Sequence, residues 1–352
     1  MQRVGHKDKR KRRVMYIKKI SVTNFRGLAS LKTTLHPGIN LIVGGNGSGK
    51  TSFLSAIATA LSPIVQRAAG EFFRGRPIDL REVHHRTEML AGRPKSRYAF
   101  PAVCCAEIVQ EKNEETLMVI KASEGAEVAS WLYGQPLSVR RKRSVRGPLL
   151  AFYTEDCGNS LDLSSVEDHD GYALWYEASL WEKDLSEWLI DETCQRLLRD
   201  GTPDSGKTDG RQFLEALLSL VMSEGVEGAE CYEPRRHVLI RQNKKRQFLN
   251  DMSRSDRFVV RLAADLVQRV ERLKHSLTAD FSGTEGVVLI DDADQWLSTS
   301  RLQRLLTGLS AAFPKVQFIV SVREPLWSDG ETPAIQKTMS VLKAENAPEN
   351  SL

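Results

Sequence analysis

The sequence is poor in cysteine and has no long apolar run. Its five cysteines (Cys104, Cys105, Cys157, Cys194 and Cys231) are odd in number and form no C-x-x-C pair. That pattern excludes a zinc-built or disulfide-stapled scaffold and fits the reduced thiols of a cytoplasmic protein. No stretch approaches the roughly 18 consecutive apolar residues of a membrane span. The basic start, Met1 to Val14, leads into no apolar signal segment, so neither a membrane nor an export route is expected. No internal repeat is visible and heptads are not sustained, which counts against an extended coiled coil.

What remains is ordinary globular usage. The chain has 352 residues, 41% hydrophobic and 27% charged, enough for one large core or two coupled lobes. The net charge of +5 conceals an asymmetry. Residues 1–50 hold 12 Lys and Arg against one acid, Asp8, leaving 38 basic against 44 acidic residues for the rest. The body is mildly acidic and carries a basic arm, residues 1–14, with Lys9 to Arg13 contiguous. This arm is either a solubilising tail or a polyanion contact, and a second basic cluster spans Arg140 to Arg146.

Local patterns divide the chain further. Ile17 to Val22 is β-rich, and Ile39-Asn40-Leu41-Ile42-Val43 is a clear, largely apolar strand running into a glycine cluster. Beyond the cluster Phe53, Leu54, Ile57 and Leu61 recur at helical spacing. Ala102 to Val109 and Thr116 to Lys121 read as an antiparallel pair, and Leu149 to Tyr153 as an apolar strand. From Gly158 to Cys231 the pattern is helical and loop-rich. Its Trp175, Trp181 and Trp188 read as packing residues rather than a base-stacking platform. A long helix carries Val259, Leu262, Leu266, Val270 and Leu273 on one face. The strand Val287 to Ile290, a helix through Leu302 to Leu309 and the strand Val316 to Val320 follow, and residues beyond Ser328 read as a mobile tail. Apolar strands separated by helices predict a parallel α/β sheet.

Gly44-Gly45-Asn46-Gly47-Ser48-Gly49-Lys50-Thr51 matches the phosphate-binding pattern G-x-x-x-x-G-K-[ST]. Glycines let consecutive backbone N–H groups converge on phosphate oxygens, and a following helix adds its positive end. Lys50 is then placed to reach the β- and γ-phosphates of ATP, and the Thr51 hydroxyl to ligate Mg²⁺. Gly201 to Thr208 fits the same pattern letter for letter, but it follows a helix end and contains Pro203, so it reads as a surface loop. The partner motif is the strand Val287 to Ile290 ending in Asp291-Asp292. A carboxylate at a buried strand end is how such sites hold Mg²⁺ beside phosphates, which gives Asp291 to the metal. Asp292 falls where a carboxylate orients the attacking water.

Asn24-Phe25-Arg26 ahead of this loop, with Gly286 to Pro325 at the other end, resembles the ABC-type ATPases of the RecF/SMC/OLD group. Leu149 to Tyr153, Tyr172 to Trp188 and Phe258 to Arg269 are further similar to compact bacterial anti-phage ATPases of the PARIS, Septu and retron-associated kind. The resemblance implies an α/β P-loop ABC-ATPase head with a mixed or parallel sheet, an antiparallel β subdomain and a helical insertion. It divides the chain into an arm (1–14), lobe I (15–157), a helical insertion (158–250), lobe II (251–327) and a flexible tail (328–352).

Carried over residue by residue, Asn46, Gly47, Ser48, Gly49, Lys50, Thr51 and Ser52 bind the nucleotide, and Thr51 and Asp291 hold Mg²⁺. Ser253 is the signature serine that meets the nucleotide of a second copy, although Met252 to Arg257 reads equally as an N-cap and first helical turn. Asp292 and Arg323 occupy the hydrolytic positions. The chain departs from the family there: Asp292 stands for the usual Glu, Arg323 for a switch-loop His, and Ser255 for a signature Gly. No Q-loop Gln is assigned. The resemblance thus implies a homodimer or higher homo-oligomer using ATP as a slow latch, with an effector (a nuclease or toxin) in another protein. DNA contacted through Lys9 to Arg13 and Arg140 to Arg146 belongs to the alternative of a RecF-like repair ATPase, and a non-hydrolysing nucleotide-gated scaffold is the other.

Overall fold

A computed structural model describes residues 15–69, 77–90, 93–110, 113–134, 147–154, 172, 175, 185–190, 208–222, 225–232, 237–274, 278–327 and 334–339. The basic segments Lys9 to Arg13 and Arg140 to Arg146, and Gly201 to Lys207 of the second loop-like pattern, lie outside these residues.

Five parallel strands form the central sheet, in the order Ala334–Thr338, Ile39–Val43, Val316–Val322, Gly286–Ile290 and Leu149–Tyr153. The last four are buried along their whole length, which is why they read as largely apolar runs in the sequence, with only Asn40, Gln317 and Ser321 as polar interruptions. Gly286 permits the tight approach of its neighbour: a Cβ there would lie 2.0 Å from the Leu149 carbonyl oxygen.

A second sheet is antiparallel, in the order Leu28–Thr34, Tyr16–Phe25, Ala102–Gln110, Asn113–Lys121 and Val128–Gly134. Ala102–Gln110 alternates buried and half-buried residues, as a strand with one packed face does. The helix Lys50–Ala69 lies between the two sheets, packed on both. Phe53 through Val65 are all buried, so this helix is covered on every side. Each large apolar side chain so covered contributes about 1.5–3 kcal/mol. Gln317, fully buried on the central sheet, links the sheets: its Oε1 accepts the Ile17 N–H at 2.9 Å, and its Nε2 donates to the carbonyls of Ile17 (3.0 Å) and His36 (2.7 Å).

The helices Gly210–Val221, Arg254–Lys274 and Thr299–Ala312 pack together beyond the central sheet. At Gly308 a Cβ would lie 2.6 Å from Val221, so the missing side chain sets the helix separation. Trp175 is fully buried, and Trp188 donates its ring N–H to Glu271 at 2.7 Å. Both are packing residues, as expected; Trp181 lies outside the described residues.

Two expectations need correction. The segment 158–250 is not simply helical, because Val226–Tyr232, His237–Gln242 and Lys245–Phe248 form a three-stranded antiparallel meander. The segment 328–352 contains Ala334–Thr338, which pairs with Ile39–Val43 as the edge of the central sheet and so is not a free tail. Among the described residues no helix is long and apolar enough to cross a membrane.

Candidate nucleotide-binding site

The buried strand Ile39–Val43 delivers the chain into the Gly44–Thr51 loop, and the helix begins at Lys50. Gly47 (φ 73°) and Gly49 (φ 102°) take left-handed backbone conformations that other residues rarely adopt. Gly44 donates its N–H to the Val322 carbonyl at 3.0 Å, which ties the start of the loop to the end of the neighbouring strand. Residues 45–47 are exposed, Ser48 and Gly49 are half-buried, and Lys50 is buried.

The Lys50 ammonium folds over the loop. It donates to the carbonyls of Gly44 (2.8 Å) and Gly45 (3.3 Å) and pairs with Asp292 Oδ1 at 3.2 Å. Ser48 Oγ, at the other side of the turn, is a buried hydroxyl with no hydrogen-bond partner. A lysine held over exposed, glycine-rich backbone and an unsatisfied buried donor form a set that fits an oxyanion ligand.

The strand Gly286–Ile290 brings Asp291 to the same place. Its carboxylate accepts Ser321 Oγ at 2.5 Å and a hydrogen bond from the Thr51 hydroxyl. Burial raises the Asp291 pKa above the ordinary carboxylate value. The Ser321 and Thr51 hydrogen bonds oppose that shift, the Asp292 charge adds to it, and Lys50 lowers it again. Thr51 and Asp291, far apart in sequence, are therefore adjacent oxygen donors beside the loop, the sparse set that Mg²⁺ takes when phosphates and water complete its shell. Among the described residues no group of three or more His, Cys, Asp or Glu gathers elsewhere as a metal site.

Asp292 sits in the left-handed region (φ 42°, ψ 47°) and donates its N–H to Ser321 Oγ at 2.7 Å. Arg323 is held by Asp294: Nε donates to Oδ2 at 2.7 Å, the backbone N–H donates to the same oxygen at 3.1 Å, and the side-chain hydrogen bond to Asp294, followed by the Asp294 charge, raises the guanidinium pKa. Ser253 N-caps the helix Arg254–Lys274, its Oγ accepting the Asp256 N–H at 3.1 Å, and it stays exposed. The N-cap reading of this segment is thus realised, and an exposed cap is also what a signature serine requires.

Sequence reasoning missed three participants. Ser321 bridges Asp291 and Asp292. Asp294 fixes Arg323. Arg26, also left-handed (φ 46°), reaches Glu82 at 2.6 Å and Ser55 of the loop's helix at 3.0 Å. The Asn24-Phe25-Arg26 run was visible, but nothing in the pattern named its partners.

The AAA ATPase domain family model matches residues 15–120. The Retron Vc95 probable ATPase of Vibrio cholerae serotype O1 biovar El Tor is 21% identical over 386 residues, spanning 88% of this chain and 70% of that protein. The DNA replication and repair protein RecF of Shigella dysenteriae serotype 1 is 29% identical over 127 residues, only 36% of this chain and 32% of RecF. Among solved structures, the SMC head bound to the C-terminal winged-helix domain of ScpA covers 88% of this chain and 90% of its own, with a TM-score of 0.52 at 15% identity. In sequence the chain is similar to retron-associated ATPases and, over part of its length, to RecF, and in fold it is similar to an SMC head.

Proposed function

We propose that the chain binds Mg²⁺-ATP at the Gly44–Thr51 loop and uses it to draw two copies together head to tail, as a slow conformational latch. Asn46 to Ser52 and the helix N-terminus hold the phosphates, with Lys50 as the cation on the β- and γ-oxygens. Thr51 and Asp291 would hold Mg²⁺, which would supply charge neutralisation beside the phosphates. Asp292 orients the water, and Arg323 lies beside it as a fixed positive charge. Ser253 meets the nucleotide of the second copy. The observation that carries this reading is the meeting of Lys50, Thr51, Asp291 and Asp292 at one loop.

The likeness to a retron ATPase favours a cytoplasmic role in anti-phage defence or genome maintenance, with the effector, a nuclease or toxin, in a separate protein. On this reading residues 15–157 and 251–327 are the two lobes of the ATPase head, flanked by the basic arm, the insertion and the C-terminal segment. The match to RecF favours a second reading, an ATPase stimulated by DNA at Lys9 to Arg13 and Arg140 to Arg146.

Titration of a fluorescent ATP analogue tests the first step. Lys50→Ala is expected to weaken binding at least tenfold, the loss of about 1.4 kcal/mol from one charge-assisted contact. Lys207→Ala, in the other glycine-rich pattern, leaves it unchanged. Equal losses in the two variants refute the choice of loop, and turnover that rises with duplex DNA selects the RecF-like reading.

A further inference from the structure

Arg254 follows Ser253 and opens the helix Arg254–Lys274. The other charges of this turn are engaged. Asp256 accepts Ser253 Oγ at 2.6 Å and the Arg301 guanidinium at 2.9 Å, and Arg257 donates to the Asn250 carbonyl at 3.2 Å. Arg254 differs from them: it is exposed, and among the described residues no carboxylate pairs with it. Its guanidinium instead lies over the Trp296 ring, 4.3 Å from the centroid.

Trp296 is itself fixed. It stacks on Phe258 with centroids 5.3 Å apart and planes 7° apart, and its carbonyl accepts Ser255 Oγ at 2.6 Å. It also closes the turn Ala293–Gln295 that follows Asp292, through its N–H to the Ala293 carbonyl at 3.2 Å. Arg254 and Phe258 are one helical turn apart, so a single indole holds both.

This placement runs against the helix's own electrostatics. A cation in the first turn opposes the positive end of the helix, at a cost of about 0.3–1 kcal/mol. The indole contact, worth about 0.5–2 kcal/mol, offsets that cost and keeps the guanidinium in place. A positive side chain clamped at a positive helix end, with no carboxylate to neutralise it, is a device for meeting an anion that arrives from outside.

We propose that Arg254 acts in trans, on the γ-phosphate of the ATP held by the second copy, and that Trp296 is the residue that positions it. The inference rests on the head-to-tail dimer proposed above. In hydrolysis the water oxygen bonds to the γ-phosphorus while the bond to the β–γ bridging oxygen breaks. Its electron pair leaves on ADP, and the water proton passes to solvent. Negative charge grows at the oxygens flanking the γ-phosphorus, and Arg254 stabilises it. The Trp296 turn leads directly from Asp292, so each copy's Arg254 is held by the same turn that carries its own water-orienting residue.

The test is turnover of the full chain with Mg²⁺-ATP, with nucleotide binding measured in parallel. Arg254→Ala and Arg254→Gln are expected to bind ATP as monomers with wild-type affinity and to turn over on the order of a hundredfold more slowly. Trp296→Ala reproduces that loss, whereas Trp296→Phe, which keeps an aromatic face, recovers most of it. Lys50→Ala alone is inactive. Mixing it with Arg254→Ala restores activity, because a mixed dimer joins the intact loop of one copy to Arg254 of the other, up to about a quarter of wild-type sites. No recovery on mixing, or wild-type turnover in Arg254→Ala, overturns the inference. Wild-type protein that neither associates with ATP nor hydrolyses it removes the dimer reading and this inference with it.

Discussion

The ion pair between Lys50 and Asp292 makes a quantitative prediction. Lys50 is buried and its ammonium lies 3.2 Å from Asp292 Oδ1, so binding ATP means exchanging this carboxylate for phosphate oxygens. At that distance and an effective dielectric constant of about 20 the attraction is about 5 kcal/mol, an upper bound. Two features reduce it. The Asp292 side chain is 18% exposed, and the Gly44 and Gly45 carbonyls hold the ammonium whether or not the carboxylate is there. A net release of about 1.4 kcal/mol remains, a tenfold change in affinity. Asp292→Asn is therefore expected to bind ATP about tenfold more tightly while losing turnover. Asn tolerates the left-handed backbone at this position as well as Asp does, so the fold is undisturbed. Asp292→Glu carries the carboxylate about 1.5 Å farther out, one C–C bond. If Asp292 stops short of the water, that shift raises turnover on the order of a hundredfold and shortens the lifetime of the ATP-bound dimer. Its cost is a modest loss of stability from a longer side chain at positive φ. Isothermal titration with and without Mg²⁺, followed by single-turnover measurements, checks both variants. Unchanged or weaker binding in Asp292→Asn refutes the competition between Asp292 and phosphate. Turnover that Asp292→Glu leaves unchanged or slows refutes the latch.

The raised pKa of Asp291 sets a pH dependence. The folded state holds the proton to higher pH than the unfolded chain does, so this group's contribution is fully present below the ordinary carboxylate pKa and is lost as pH rises through the folded value. Asp291→Asn should therefore melt higher than wild type at neutral pH without nucleotide, by about 2 °C per kcal/mol. The difference should shrink towards pH 4, and the Mg²⁺ dependence of ATP binding should vanish; a gap that widens on acidification contradicts the assignment. Gln317→Leu keeps the volume but strips the Ile17 N–H and the Ile17 and His36 carbonyls of their side-chain partner. Urea unfolding should show a loss of about 2 kcal/mol or more, and a loss well below 1 kcal/mol would mean that the sheets are not joined there.

Much of the fold was legible because buried parallel strands cannot hide their composition. Ile39–Val43, Gly286–Ile290 and Val316–Val322 are covered on both faces and read as apolar runs interrupted only by Asn40, Gln317 and Ser321. Ala334–Thr338 was missed for the opposite reason. It is a short edge strand, Ala-Ile-Gln-Lys-Thr, and only the presence of Ile39–Val43 beside it makes it a strand. The meander Val226–Phe248 gave little warning either. Its tightest turn is Asn243-Lys244, both at positive φ, where a hairpin signal would carry glycine.

The site divides along the same line. The Gly44–Thr51 loop and Asp291 were readable because each is a contiguous pattern whose spacing is dictated by chemistry. Ser321 was not, because its role exists only through register: Ile290 pairs with Val320, so the next step along both strands sets Ser321 beside Asp291. One hydroxyl thereby donates to Asp291 and accepts the Asp292 N–H, holding both acids at the end of their strand. Arg323, two residues further on, is drawn to Asp294 on the turn that leads from Asp292 to Trp296. In sequence, the resemblance alone would make Asp292, Arg323 and Ser255 three separate departures from a family pattern. In the structure Asp292 pairs with Lys50, Arg323 is held by Asp294 and Ser255 donates to the Trp296 carbonyl, so all three meet the single turn from Asp291 to Trp296. Restoring one family residue at a time would break one of those contacts without rebuilding the others. Substitutions at these positions should therefore be strongly non-additive, which double-mutant cycles between Asp292 and Arg323 can measure.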